Sequence, residues 1–179
     1  MAVLQVIRNF LAPAARRSID PVRPAPRTVY AVRPIAEKDL DELLRLNYRC
    51  FEDGENYTKH TFSYLLSQAN ALCCQVTTAD GRMAAFLCVL IGEDGIGHIT
   101  TIGVAPEHRR RGLGEKLLNH LNDQLAARGV SSVVLEVRIG NVAAQKLYSA
   151  CGYTVVQRLS SYYNNGEDGF LMMKPVTQE

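Results

Sequence analysis

Apolar residues along this chain change their period, and the changes predict its elements. Thr28 to Arg33 alternates, with Val29, Ala31 and Pro34 bracketing a first strand. Asp39-Leu40-Asp41-Glu42-Leu43-Leu44 opens a helix, with acids in the first turn, where the helix dipole favours them, and leucines spaced for one buried face. Thr58 caps a short helix that runs through about Ser67. Leu72 to Thr78 and Arg82 to Ile91 read as apolar strands joined at Ala79-Asp80-Gly81, a turn sequence that tolerates positive φ. A second turn, Glu93-Asp94-Gly95, leads into a strand over Ile96 to Val104.

Beyond that strand the pattern alternates between the two periods. Leu113, Leu117, Leu121 and Leu125 recur four apart and predict a helix over Arg111 to Arg128, stopped by Gly129. There follow a strand over Ser132 to Arg138, a helix over Asn141 to Cys151 ended by Gly152, a strand over Tyr153 to Leu159 and a last strand near Gly169 to Lys174. An antiparallel meander followed by alternating strand and helix predicts the α/β class, an α+β mixed sheet flanked by helices.

Composition narrows the class further. The chain has 179 residues, enough for one domain with a single core, and no run of eighteen apolar residues, so no membrane span is expected. Its five cysteines (Cys50, Cys73, Cys74, Cys88, Cys151) are odd in number and lack Cys-x-x-Cys spacing. They read as reduced, mostly buried thiols of an intracellular, cytoplasmic protein, not as a disulfide frame or a metal site. The histidines are scattered; His98 and His108 either line a site or are structural.

Charge separates the ends of the chain. Residues 1–34 carry six arginines against Asp20, a balance of +5, so with a formal charge of +2 overall the remainder stands at −3. The body of the chain is therefore not a basic nucleic-acid binder. The division expected is an Arg- and Pro-rich extension over residues 1–27 and a folded domain over 28–179. Two readings of the extension compete: a targeting segment for an organelle, or a loosely ordered arm that packs on a partner.

Four stretches carry chemistry. Arg109-Arg110-Arg111-Gly112-Leu113-Gly114, followed by Glu115, opens a helix with backbone N–H groups that have no internal partner, at the positive end of the dipole. This is a phosphate cradle of the helix N-terminal kind, and three arginines beside it call for an anion. It has neither the Gly-x-Gly-x-x-Gly of dinucleotide sites nor the Gly-Lys-Ser/Thr of the P-loop. Glu136 stands in a β-branched strand, on the face opposite Val133, Leu135 and Val137; it is either a reactive carboxylate or half of an ion pair with a strand mate or the surroundings of Arg138. Asn141 reads as a helix N-cap, and Tyr148 in that helix is either a core tyrosine or an acid. Glu52, Asp53 and Glu55 form an acidic stretch with Gly54.

The order of these pieces resembles a known family. Val104-x-Pro106, Arg109-x-x-Gly112-x-Gly114, Leu135-Glu136-Val137-Arg138, Asn141-x-x-Ala144 and Leu147-Tyr148-x-x-x-Gly152-Tyr153 are similar to successive motifs of the GNAT acyl-CoA N-acetyltransferases. Within the family, Leu135-Glu136-Val137-Arg138, Asn141, Leu147-Tyr148 and the late Tyr162-Tyr163 with Gly166-Glu167-Asp168 are most similar to the ribosomal-protein-alanine N-acetyltransferases, which act on protein N-termini. The resemblance is close over 99–175, loose over 28–98 and absent over 1–27. It implies a mostly antiparallel sheet with one splayed parallel pair. It further implies acetyl-CoA as co-substrate, with its pantetheine arm on the backbone of Ile102, Gly103 and Val104. The pyrophosphate would lie on Arg109, Arg110, Arg111, Gly112, Leu113 and Gly114, with Glu115 at the edge, and Asn141 would touch the cofactor. By the same resemblance Glu136 is the general base and Tyr148 the general acid, with no metal. Two departures stand out: Thr101-Ile102-Gly103 replaces the family's Asn before its Ile-Ala-Val strand end, and Phe51 to Thr61 does not match closely.

The implied roles suit the chemistry of acetyl transfer. An amine attacks a thioester only when unprotonated, so a base and an acid divide the work. An α-amine with a pKa near 8 needs about 3 kcal/mol less for deprotonation than a lysine near 10.4, so one glutamate suits a protein N-terminus. The acidic residues Glu52, Asp53 and Glu55 and the pair Tyr162 and Tyr163 are expected to receive that peptide end. The expected partner is thus a protein or peptide N-terminus, with neither nucleic acid nor membrane. Acetylation of lysine or a small-molecule amine, and a catalytically silent acyl-CoA-binding module, are the alternatives.

Overall fold

A computed structural model of the chain describes residues 11–12, 22–51 and 56–176. Seven strands form one sheet: β1 (Tyr30–Pro34), β2 (Ala71–Thr78), β3 (Met83–Ile91), β4 (Ile96–Val104), β5 (Ser132–Arg138), β6 (Thr154–Leu159) and β7 (Gly169–Pro175). Their order is β1-β2-β3-β4-β5-β7-β6. The sheet is mostly antiparallel; the parallel pair is β4 with β5, registered from Ile96 opposite Ser132 to His98 opposite Val134. The helices are α1 (Leu40–Cys50), α2 (Lys59–Ser67), α3 (Leu113–Ala126) and α4 (Val142–Ala150). The mixed sheet with helices predicted from the pattern is the fold observed.

The chain divides into two compact units, one taking residues up to Leu90 together with Thr100–Leu117, the other Ile91–Ile99 and everything from Leu118. In the first unit, Leu40, Leu43 and Leu46 come round on one face of α1 and are buried, as are Phe62 and Leu65 of α2. They pack with Met83, Phe86 and Cys88 of β3 in a single apolar cluster, where the Phe62 and Phe86 rings meet edge-on at 6.1 Å. The N-cap of α2 is Thr58, whose hydroxyl accepts from the Thr61 amide at 3.2 Å.

In the second unit, β5 alternates as its sequence requires: Val133, Leu135 and Val137 are buried, and the residues between them are half-buried. It pairs antiparallel with β7 along its whole length, from Ser132 opposite Pro175 to Arg138 opposite Gly169. Asn141 caps α4 by accepting from the Ala144 amide at 3.1 Å.

Several element boundaries differ from those read in the sequence, two of them for a clear physical reason. The first strand begins at Tyr30, where pairing with Thr78 starts, not at Thr28. Helix α3 begins at Leu113 and not at Arg111, because Arg110 at φ 61° and Gly112 at φ 74° both sit in the left-handed region and cannot belong to a right-handed helix. Its far end is Ala126, with the Gly129 amide closing a tight turn on the Ala126 carbonyl. The stripe Leu113, Leu117, Leu121 and Leu125 is buried throughout.

One close approach fixes the end of β4. A Cβ added to Gly103 would lie 2.5 Å from Cε1 of Phe86, 2.8 Å from its Cζ and 3.0 Å from Sγ of Cys50. A buried aromatic ring cannot swing aside as the end of a long side chain can. Gly103→Ala should therefore destabilise the protein by about 1–3 kcal/mol through overpacking. At roughly 2–4 °C in Tm for each kcal/mol, thermal unfolding will resolve the loss. An unchanged Tm would mean that Phe86 and Cys50 yield without strain.

Candidate active site

In the first unit, β4 ends at Val104, and a 3₁₀ turn over Pro106–His108 passes the chain into the tight bend Arg109-Arg110-Arg111-Gly112 ahead of α3. The first intrahelical bond runs from the Lys116 amide to the Gly112 carbonyl at 2.9 Å. The amides of Gly112, Leu113, Gly114 and Glu115 precede it and have no partner within the helix. A Cβ at Gly112 would meet no protein atom within 4 Å. Four backbone donors at the positive end of a fourteen-residue helix are what an anion of the phosphate kind requires.

The three arginines of the bend do different things. Arg110 is exposed. Arg109 turns back, donating from Nε to the Val104 carbonyl at 3.3 Å, and its guanidinium stands beside Cys50, whose thiol burial pushes up to about 12. Arg111 is engaged elsewhere: it donates to the Pro26 carbonyl at 2.9 Å, to the Tyr30 hydroxyl at 2.8 Å and to the Ala25 carbonyl. The Ala25 amide in turn donates to the Glu107 carbonyl at 2.9 Å. Residues 25 and 26, which fall within the extension expected over 1–27, are thus fastened to the turn. Tyr30 passes the contact on, its hydroxyl lying 2.9 Å from Nδ1 of His108. With Arg111 donating to that oxygen, the phenolic O–H is free to donate to Nδ1 of a neutral His108.

In the second unit, Glu136 lies on β5 and His98 on β4. Oε2 of Glu136 is 2.7 Å from Nε2 of His98, and the two side chains are only 10% and 11% exposed. Glu136 thus has a strand mate as partner, on one oxygen only: Oε1 of Glu136 and Nδ1 of His98 are both buried and unpartnered. Buried polar atoms are nearly always hydrogen-bonded, so an unpartnered carboxylate oxygen calls for an explanation. Arg138, two residues on and on the same face, donates to Glu167 at 2.5 Å and to Asn165 at 3.1 Å, and its guanidinium lies 4.0 Å from the centre of the Tyr163 ring. Glu167 also accepts from the Gly140 amide at 2.9 Å. Tyr162 and Tyr163 meet edge-on at 5.1 Å.

Tyr148 is buried in α4 with its ring 6.0 Å from that of Tyr153, and burial raises its phenol well above the ordinary value. It therefore keeps its proton across any working pH. Asn141 is exposed, with Oδ1 taken by the cap. Ile102, Gly103 and Val104 form the end of β4. Glu52, Asp53 and Glu55 lie outside the described residues. The contacts that sequence reasoning missed are His98 with Glu136, 38 residues apart, and Arg138 with Glu167, 29 apart. The face shared by Glu136 and Arg138 was legible, but their partners depend on strand order. Among the described residues no cluster of three or more His, Cys, Asp or Glu is placed to hold a metal ion, and no helix is long and apolar enough to cross a membrane.

Comparison with known proteins places this geometry among relatives. Residues 38–153 match the acetyltransferase (GNAT) family. A [ribosomal protein bS18]-alanine N-acetyltransferase of Salmonella typhimurium is 41% identical over 103 residues, which span 56% of this chain and 69% of the relative. An N-alpha-acetyltransferase of Sulfurisphaera tokodaii is 29% identical over 159 residues, 82% of this chain and 93% of the relative. The crystal structure of the ribosomal-protein-S18-alanine N-acetyltransferase of Escherichia coli superposes with a TM-score of 0.76 at 30% identity, covering 84% of this chain and 96% of that one.

Burial lowers the pKa of His108 from the ordinary 6.5, and Arg111, Arg82 and Arg49 add to the effect against Glu107. A histidine whose folded pKa is depressed stabilises the fold fully above its unfolded pKa. That contribution is lost as pH falls below about 6.5 towards the folded value. Urea unfolding between pH 8 and pH 5 should therefore show a steeper loss of stability for the wild type than for His108→Gln, which can accept from Tyr30 but cannot be protonated. Parallel pH profiles would mean that His108 does not carry the effect.

Proposed function

Since the chain belongs to the acetyltransferase (GNAT) family and is an acetyl-CoA-dependent N-acetyltransferase, we propose that its acceptor is the N-terminal α-amine of a protein or peptide. The observation that carries this reading is the buried carboxylate of Glu136, held through Oε2 with Oε1 unpartnered. A single carboxylate acting directly or through one water can deprotonate an α-amine with a pKa near 8, whereas a lysine near 10.4 asks about 3 kcal/mol more of it. A relative whose name states N-alpha acetylation, and one named for acetylating an alanine of a ribosomal protein, support the same choice.

In this reading the domain occupies 28–179 and residues 1–27 are an extension. The residues at the turn fit the phosphate part of acetyl-CoA: the amides of Arg110 to Gly114 would hold the pyrophosphate, Glu115 lying at the edge. Ile102, Gly103 and Val104 would lie along the pantetheine arm, with Asn141 touching the cofactor. When bound, acetyl-CoA supplies the acetyl group as an activated thioester. Glu136 accepts the amine proton at Oε1, and Tyr148 holds a proton at its hydroxyl for the departing sulfur. Tyr162 and Tyr163, braced by Arg138, take the first residues of the peptide, and Glu52, Asp53 and Glu55 attract its positive end.

The test offers the full chain acetyl-CoA and a library of peptides with varied first residues and internal lysines, with the acetylated atom located by mass spectrometry. Label on the α-amine is the expected result; label confined to lysine would overturn the acceptor assignment. Two substitutions check the roles. Glu136→Gln should lower kcat by about 10²- to 10⁴-fold with acetyl-CoA binding unchanged, since a general base contributes that much. Tyr148→Phe should also slow turnover while sparing acetyl-CoA binding, and full activity in that variant would remove the phenol from the mechanism.

A further inference from the structure

His98 is the last residue of β4 in the registered parallel pairing, opposite Val134, and Glu136 lies one pleat beyond Val134 on the same face of β5. This diagonal brings Nε2 of His98 to 2.7 Å from Oε2 of Glu136. On its other side β5 runs beside β7, where Glu136 is opposite Leu171 and Val134 opposite Met173, both apolar. The carboxylate thus has one polar anchor, an imidazole on the neighbouring strand. Both side chains are about nine-tenths buried, and each keeps one buried polar atom without a partner.

A pair whose purpose was stability would close both valences, because a buried polar atom left unpaired carries the full cost of its desolvation. Here the arrangement is asymmetric in a useful way. Nε2–H donates to Oε2, and one hydrogen bond on one oxygen stops the carboxylate from rotating about its last bond. The second oxygen is then presented in a single direction.

We propose that His98 is the positioning residue of the general base: it holds Glu136 through Oε2 so that Oε1 meets the attacking amine. The inference rests on Glu136 being the base, and goes beyond it by making the active unit a carboxylate–imidazole pair. No bond to carbon forms or breaks at His98. The proton leaves the amine nitrogen for Oε1, and the Nε2–H remains on the ring throughout.

Steady-state kinetics with an α-amine peptide test this on the full chain. His98→Ala should lower kcat by roughly 10- to 100-fold, the scale of losing the alignment of a reacting group, with both KM values within about twofold of wild type. His98→Gln carries an amide N–H that reaches Oε2 and should recover most of the rate. His98→Asn, with the same amide one methylene shorter, should not. The Gln and Asn pair keeps the test decisive even where the alanine variant is poorly folded. The double variant His98→Ala, Glu136→Gln should be no slower than Glu136→Gln alone, because His98 acts only through that carboxylate.

A wild-type kcat in His98→Ala and His98→Asn overturns the proposal while leaving Glu136 as the base. So does a double variant whose losses multiply, or a Gln variant as slow as Asn. A wild-type kcat in Glu136→Gln overturns the base assignment itself, and the pair falls with it.

Discussion

Strand β5 has a partner on each side, β4 in parallel and β7 antiparallel, and this double pairing fixes its register. Because the side-chain period of a strand is two, a slip of one residue would send Glu136 and Arg138 into the core and bring Val133, Leu135 and Val137 out. Three buried β-branched and leucine side chains therefore hold the two charged ones on the opposite face. The contact between Glu136 and His98 depends on that register as much as on its own hydrogen bond. So does the one between Arg138 and Glu167.

The first unit has a different governing constraint, the left-handed bend at Arg110 and Gly112. It ends one direction of chain and starts α3 at Leu113, so that the unpartnered amides at the head of the helix follow directly on a strand end. The buried leucine stripe of α3 keeps that helix start in place. The cluster around Phe62 and Phe86 does the same for the end of β4, where Gly103 leaves room for a ring and a thiol.

What could be read in the sequence was local. The period-two run at Val133 to Val137, the leucines four apart in α3 and the caps Thr58 and Asn141 each follow from a few neighbouring residues, and each is in the structure. The start of α3 was misread because a non-glycine residue, Arg110, takes a positive φ that no local rule assigns to arginine. The engagement of Arg111 with Ala25 and Pro26 was illegible for another reason. It links residues 85 and 86 positions apart, so a side chain that looks free to meet an anion is already committed to carbonyl groups. His98 was equally hidden, since its meaning comes from which strand lies beside it.

The two charged residues of β5 also set a length. Glu136 carries the open carboxylate oxygen, while Arg138 stacks on Tyr163 and grips Glu167, which is in turn bound by the Gly140 amide. Two residues of extended strand, roughly 6.6 Å, separate their backbones. The strand thus works as a ruler, spacing the carboxylate from the guanidinium that holds the tyrosine-bearing loop.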